Sequence, residues 1–201
     1  MKKHLCVLLT FLTLLVANPA IADPVVVPSY NYVVAKLGAY FPNSNDLNGY
    51  STGFSGEFAF GHYFNPYIAI ELGVGYFETS GDVNVVTPHS QYISNEKLEV
   101  VPLTASLKFI YPINIYVEPY IIGGIGAYFV DSHIDSYGHY GGLSDNETAF
   151  GGHLGGGINF NVAPNFFIGV ECKYVWLDPN LYGASVNLSG TRLTGNFGVR
   201  F

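Results

Sequence analysis

Few residues of this chain carry side chains suited to chemistry, and their neighbours favour structural uses. Asp131, His133 and Asp135 alternate, offering carboxylate and imidazole to a divalent ion. An EF-type calcium loop would bring a Gly sooner and a Glu later, so the trio reads as a solvated loop. His89-Ser90 and Ser132-His133 set a base beside a nucleophile, but covalent catalysis needs hydrogen-bond reach and a third, orienting group. Adjacency in a loop supplies neither. The run Gly151-Gly152-His153-Leu154-Gly155-Gly156-Gly157 lacks the Lys-Ser/Thr and the strand-to-helix setting of a phosphate-binding loop. It reads as a sharply curved strand, with His153 hydrogen-bonded inside. Cys172 reads as a small apolar residue. No catalytic residue, metal or cofactor is assigned, and an enzyme is not expected.

The other polar candidates are charges: Lys36, Glu57, Glu71, Lys108, Glu118, Glu171, Lys173, Arg192 and Arg200. Each sits in a stretch where apolar and small or polar residues alternate, the period of a β-strand. In 68–76, Ile68, Ile70, Leu72, Val74 and Tyr76 share one face, and Ala69, Glu71, Gly73 and Gly75 the other. In 166–176, Phe166, Ile168, Val170, Cys172, Tyr174 and Trp176 stand opposite Gly169, Glu171 and Lys173. Nearly every strand charge therefore obeys one parity rule. If the apolar face meets lipid, those charges and His153 all point inside. The sorting has a physical cause, since a lipid-facing charge at the midplane costs about 2–4 kcal/mol.

The elements that must position these residues follow from the bulk of the chain. Lys2 and Lys3 precede an apolar run, Leu5 to Val16, and then Ala20-Ile21-Ala22. This pattern predicts a signal peptide over 1–22, with small residues Ala20 and Ala22 at the cleavage site and Asp23 as the mature start. Residues 23–201 then form one domain. Of the full chain's 201 residues 49% are apolar and 11% charged, yet no apolar run after Ala22 approaches the length of a spanning helix. Only helices and closed barrels satisfy their backbone groups in hydrocarbon, so the composition points to an all-β transmembrane barrel. A secreted β-sandwich is the alternative, but it would place charges outside and aromatics in its core. Removing Lys2 and Lys3 from the eight Lys and Arg leaves six against fifteen Asp and Glu, so nucleic acid is not an expected partner.

Period-2 alternation bounded by turn residues predicts eight antiparallel strands, near 30–41, 52–63, 67–77, 98–111, 115–130, 148–161, 166–177 and 190–201. Three connections are tight and carry Pro and Asn, at 64–66, 112–114 and 162–165. The other four, 42–51, 78–97, 131–147 and 178–189, are longer and polar. Strict alternation of short and long connections puts all tight turns at one barrel end. Tyr63, Phe64, Tyr67, Tyr111, Tyr116, Phe160 and Phe166 then form a lower aromatic girdle, and Tyr40, Tyr76, Tyr128 and Trp176 an upper one. A turn centred on Ile113 would set Lys108 opposite Glu118 inside the barrel.

The tracts Tyr116-Val117-Glu118-Pro119-Tyr120 leading into 123–129, Pro164-Asn165-Phe166-Phe167 leading to Glu171-Cys172-Lys173-Tyr174, and the Gly-Val-Arg-Phe ending carry a resemblance. With them the chain resembles the small Gram-negative outer-membrane β-barrels, OmpW-like proteins and the barrel halves of OmpA-like porins. The resemblance implies a multi-pass barrel in the bacterial outer membrane, with lipid and lipopolysaccharide around it. It also implies that Leu193, Phe197, Val199 and Phe201 are read by the barrel-assembly machinery as a C-terminal signal. In contrast to OmpA-like proteins, a periplasmic domain after the barrel and a peptidoglycan-anchoring role are not expected here.

The lumen separates the functional readings. Inward glycines at 38, 73, 75, 124, 126, 155, 157 and 169 either relieve curvature or leave a narrow cavity. An eight-stranded barrel is wide enough only for side chains or one small ligand. The leading expectation is a monomeric, porin-like channel or pocket passing small molecules, hydrophobic ones by analogy with OmpW-like proteins. The alternative is a structural or surface-interaction protein, and a remote third is a lipid A-modifying barrel enzyme.

Overall fold

The computed structural model describes residues 30–201 except 45, 48, 88–89, 135–142 and 182, and of 82–95, 134 and 143 it describes no side chains. Ala20, Ala22, Asp23, His89 and Asp135 lie outside the described residues. Eight long strands form a closed antiparallel barrel: β1 (Tyr30–Pro42), β2 (Gly53–Asn65), β3 (Ile68–Thr87), β4 (Ser90–Ile110), β5 (Val117–Ile134), β6 (Leu143–Ala163), β7 (Phe166–Trp176) and β10 (Gly190–Arg200). A small hairpin, β8 (Asn180–Leu181) with β9 (Ala184–Ser185), lies between β7 and β10. Neighbours in sequence pair in space, and β1 closes on β10 from Tyr32↔Arg200 to Pro42↔Gly190. This closure removes the free edges that an open sheet would expose.

Turn chemistry fixes the lower end, where the short connections lie. The Asn65 side-chain oxygen accepts from the backbone N–H groups of Tyr67 and Ile68 at 2.8 and 2.9 Å. Asn114 does the same for Tyr116 and Val117. These are Asx turns, in which a side chain stands in for a backbone acceptor. Beyond β10, Phe201 exchanges two backbone hydrogen bonds with Asn31, at 3.0 and 2.9 Å, and its ring lies 6.5 Å from that of Phe60. Deleting Phe201 removes both bonds, so the unheated, compact gel band of membrane-inserted barrel is expected to fall several-fold while export continues. Unchanged yield of that band would show the last residue to be dispensable.

The outward face carries the apolar side chains, with Leu37, Phe58, Leu72, Leu103, Ile125 and Phe197 each more than half exposed. Inside, buried side chains stack in three layers. Tyr32, Tyr63, Ile110, Ile122 and Phe167 fill the lower end, and Tyr40, Phe77, Leu98, Tyr128 and Val175 the upper. Charged groups lie between them. Three girdle assignments are thereby corrected: Tyr40, Tyr63 and Tyr128 are buried in the lumen at 1–2% exposure. Each shares the parity of the inward charge on its strand, Lys36, Glu57 and Glu118 respectively, so the parity rule itself puts it inside. Phe64, Tyr67, Tyr111, Tyr116, Phe160 and Trp176 are exposed outside.

Two of the expected long loops are largely strand. Residues 78–87 pair with 90–99, and 131–134 with 143–146, so β3 to β6 rise beyond the level at which the other four stop. A strand with water on both faces has no apolar face to display, so the alternation that marks a membrane strand is missing there.

Candidate functional site

The charged layer is a continuous network. Lys36 Nζ contacts Glu57 at 2.9 Å and Glu171 at 3.1 Å, and also pairs with Glu71. Lys108 reaches Glu71 at 2.8 Å, and Lys173 bridges Glu57 and Glu171 at 3.0 and 3.2 Å. Arg192 Nη1 donates to Glu57 at 2.9 Å and its Nε to Ser55 Oγ at 2.8 Å. The hydroxyls of Tyr32 and Tyr120 donate to Glu71 and Glu171 at 2.9 and 2.8 Å. Lys108 Nζ lies 4.4 Å from the Tyr120 ring centroid, close enough for a cation–π attraction. All seven charged side chains are nearly fully buried. Isolated burial of any one would be prohibitive, so the network stands as a unit.

A second pair sits lower. Arg200 Nη2 bonds Glu118 at 2.6 Å, and Asn161 joins both, accepting from Arg200 Nη1 at 2.7 Å and donating to Glu118 at 2.9 Å. Lys108 does not face Glu118. The observed register sets Lys108 opposite Ile122 and Ile110 opposite Tyr120, because the turn is centred on Ile115 rather than Ile113, with Tyr111 N donating to Pro119 O at 2.8 Å and Ile113 N to Val117 O at 3.0 Å. The expected register is off by an even number of residues, which leaves every side chain on its face while exchanging all partners.

His153 hydrogen-bonds Ser106 Oγ at 2.8 Å through Nε2, both buried within the barrel wall. Cys172 faces outward beside Gly156 and Leu193, in an apolar groove of about 630 Å³ on the barrel wall. Asp131 and His133 stand exposed on β5, opposite Glu99 and Lys97. Among the described residues no group of three or more His, Cys, Asp or Glu is arranged to hold a metal. Leu193, Phe197, Val199 and Phe201 all lie on the outside, on β10 and just past it.

The glycine-lined face holds no matching space. A Cβ on Gly38 would fall 1.9 Å from the carbonyl oxygen of Leu193, one on Gly124 2.2 Å from that of Ala105, and one on Gly157 2.5 Å from the Tyr120 ring. Neighbouring backbone and rings already occupy the room that these residues leave.

Sequence reasoning missed the cap over the upper end. Leu47, from the β1–β2 loop, and Leu177, Leu181 and Leu188, from the segment between β7 and β10, are buried on Tyr40 and Phe77. Polar clips join the two loops: Tyr40 OH to Leu188 O at 2.6 Å, Asn43 N to Ser189 O at 3.1 Å and Asn187 N to Asp46 Oδ2 at 2.9 Å. Isolated leucines in otherwise polar loops were the available signal.

Above the rim, Tyr76 OH donates to Glu78 and Glu99 at 2.6 and 2.8 Å, and Lys97 pairs with the same two carboxylates at 3.0 and 2.7 Å. The Tyr76 hydroxyl first, then Lys97, holds Glu78 below the usual carboxylate range, and for Glu99 the order is reversed. Two like charges directly opposite across β3 and β4 are thus tied together by one cation and one hydroxyl.

A closed eight-stranded barrel with apolar side chains outside and paired charges inside has the architecture of proteins that cross the bacterial outer membrane with strands. The model of the outer membrane protein β-barrel domain matches residues 6–201. The chain belongs to this family. Its place is accordingly the bacterial outer membrane, with the capped end and the raised strands outside, as the long-loop ends of such barrels are. Its fold is similar to that of a major outer membrane protein from Thermus thermophilus (TM-score 0.60, 16% identity, covering 87% of this chain and 100% of that one). Neisserial surface protein A (TM-score 0.55, 18% identity, 86% and 97%) and OprG from Pseudomonas aeruginosa (TM-score 0.53, 13% identity, 88% and 97%) are also similar. At these identities the likeness is one of fold. No curated protein sequence matches the chain.

Proposed function

We propose that this outer-membrane barrel is a non-enzymatic surface-interaction protein, a closed scaffold that holds a four-stranded sheet above the membrane. The observation that carries this reading is the joint geometry of β3 to β6. They continue past the rim over a lumen in which the described side chains form two apolar layers with an ionic layer between them. From Phe77↔Val100 to Thr87↔Ser90 the β3–β4 ribbon runs on for about 30 Å at about 3.3 Å per residue. An acidic outer face, Glu78, Glu99 and Asp131 against Lys97, repels phosphate, so contact with lipopolysaccharide in this reading runs through bridging divalent cations. To test it, residues 80–97 and 132–145 are replaced by short turns and the barrel is displayed on cells. The shortened barrel should keep its heat-modifiable band and lose attachment to protein-coated surfaces. Undiminished attachment would overturn the proposal.

A second reading, narrow passage of small apolar molecules, is favoured by one local feature. The β3–β4 pairs skip from Val74↔Leu103 to Phe77↔Val100, because Pro102 has no N–H to give to the ladder. That interruption lies next to the apolar upper layer, so passage would require the cap to lift and the wall to part there.

A further inference from the structure

The lipid-facing wall is not evenly covered by side chains. Across β4, β5, β6, β7 and β10 it is cut by the apolar groove of about 630 Å³ that holds Cys172. Register shows how the groove is built. One outward row runs Phe109, Ile121, Gly156, Cys172, Leu193, and the row beneath it begins at Tyr111 and Pro119 and ends on Gly195. Between the branched side chains of Ile121 and Leu193 the floor is therefore largely backbone. A Cβ placed on Gly156 would have one neighbour within 4 Å, the Tyr120 carbonyl oxygen at 3.1 Å. The space above that point is open, and an apolar wall with nothing against it forfeits dispersion contacts.

The course of the groove selects its occupant. Phe109 stands at the lower end of β4, whereas Leu193 lies near the upper end of β10, so the groove climbs. Strands of such barrels tilt by about 35–45°, and a row perpendicular to them rises about 11–14 Å over four spacings of about 4.8 Å. That rise is close to one leaflet's share of a hydrocarbon core about 30 Å thick. The lower mouth opens beside Tyr111 at the level of the aromatic girdle, and the segments 63–67, 111–117 and 162–166 around that rim contain no charged residue. An extended protein segment would bring unpaired backbone groups into hydrocarbon, where the closed wall has no strand edge to receive them. A hydrocarbon chain brings none.

We propose that this groove is a binding site for one acyl chain of a bilayer phospholipid, which enters beside Tyr111 with its headgroup at the lower rim and ends between Cys172 and Leu193. The bare floor lets the chain approach the backbone closely, as small residues do between packed membrane helices. An uncharged rim leaves selection to the chain and not to the headgroup.

The test uses the full chain in phosphatidylcholine nanodiscs doped with a phospholipid that carries a photoactivated diazirine either at the methyl end of one chain or near its carbonyl. Peptide mass spectrometry after illumination maps the adducts. The methyl-end probe should label Cys172 and Leu193 about fivefold or more above Phe58 and Leu72 on β2 and β3, which are exposed to a similar degree as Leu193. The probe near the carbonyl should label Tyr111 and Pro119 instead. Groove labelling should level off as the doped fraction rises, while labelling of the remaining wall grows in proportion, and a phosphoglycerol headgroup should leave the pattern unchanged. Cys172→Phe fills the groove from an outward position and should lower groove labelling about fivefold. If that barrel does not fold, the saturation and the order of depth in the unaltered chain decide. Labelling that is uniform and proportional everywhere would mean a fluid lipid annulus only and overturn the site. Methyl-end adducts at Tyr111 would bring the chain from the opposite leaflet and overturn the stated orientation. Oxidative cross-linking of two barrels through Cys172, without saturable labelling, would assign the groove to a second copy.

Discussion

Glu57→Gln is expected to lower the stability of the refolded barrel by about 3–5 kcal/mol in urea unfolding, the scale for removing one partner from a buried ion pair. Glu57 is the shared acceptor of Lys36, Lys173 and Arg192. The substitution keeps the volume and one acceptor oxygen but removes the charge, leaving three buried cations to two carboxylates, Glu71 and Glu171, plus the cation on Lys108. Low dielectric inside the wall sharpens that imbalance. Glu99→Gln removes a carboxylate that pairs with Lys97 at an exposed site, and it should shift stability by no more than about 1 kcal/mol. Similar effects from the two substitutions would mean that the lumen is as wet as the surface, and the layered packing would be wrong.

The second large effect concerns register. Lys108→Ala and Glu71→Ala should each cost about 3–5 kcal/mol, and the double variant should cost clearly less than their sum because both remove one contact. Arg200→Ala and Glu118→Ala should show the same sub-additivity, while Lys108→Ala combined with Glu118→Ala should be additive. A coupling of Lys108 to Glu118 in place of Glu71 would restore the turn centred on Ile113 and shift the β4–β5 hairpin. The Lys36 contact to Glu71 makes the first cycle an under-estimate of the pair, so its sign is more informative than its size.

Parity is what the sequence carries clearly, because an outward charge on a membrane strand is so costly. The inward set from Lys36 to Arg200 and the outward set from Leu37 to Phe201 could both be read from it. Register is different in kind. The residues flanking Ile113 keep their faces under any even shift, so hydrophobic pattern alone cannot choose between Glu118 and Ile122 as the neighbour of Lys108. The Asx turns at Asn65 and Asn114 were legible as turn residues, yet only the folded chain shows that the second turn centres on Ile115, closed by the bond from Ile113 N to Val117 O. The raised ends of β3 to β6 were illegible for lack of an apolar face. The cap escaped notice because Leu47, Leu181 and Leu188 lie far apart in sequence and gain meaning only when Asn43, Asp46 and Asn187 bring their loops together. Tyr40, Tyr63 and Tyr128 were misplaced by a compositional habit, aromatics at strand ends, that the parity of their own strands contradicts.

The claim on which the functional account turns is that the lumen is filled, with Tyr40, Phe77 and Leu188 over the ion network and Tyr32, Tyr63 and Phe167 beneath it. Single-channel recording of the purified full chain in planar bilayers tests it most directly. The packing predicts a silent membrane, with no steady conductance above that of protein-free bilayers at neutral pH. A stable ohmic conductance that scales with the amount of inserted barrel would contradict it and restore the channel reading.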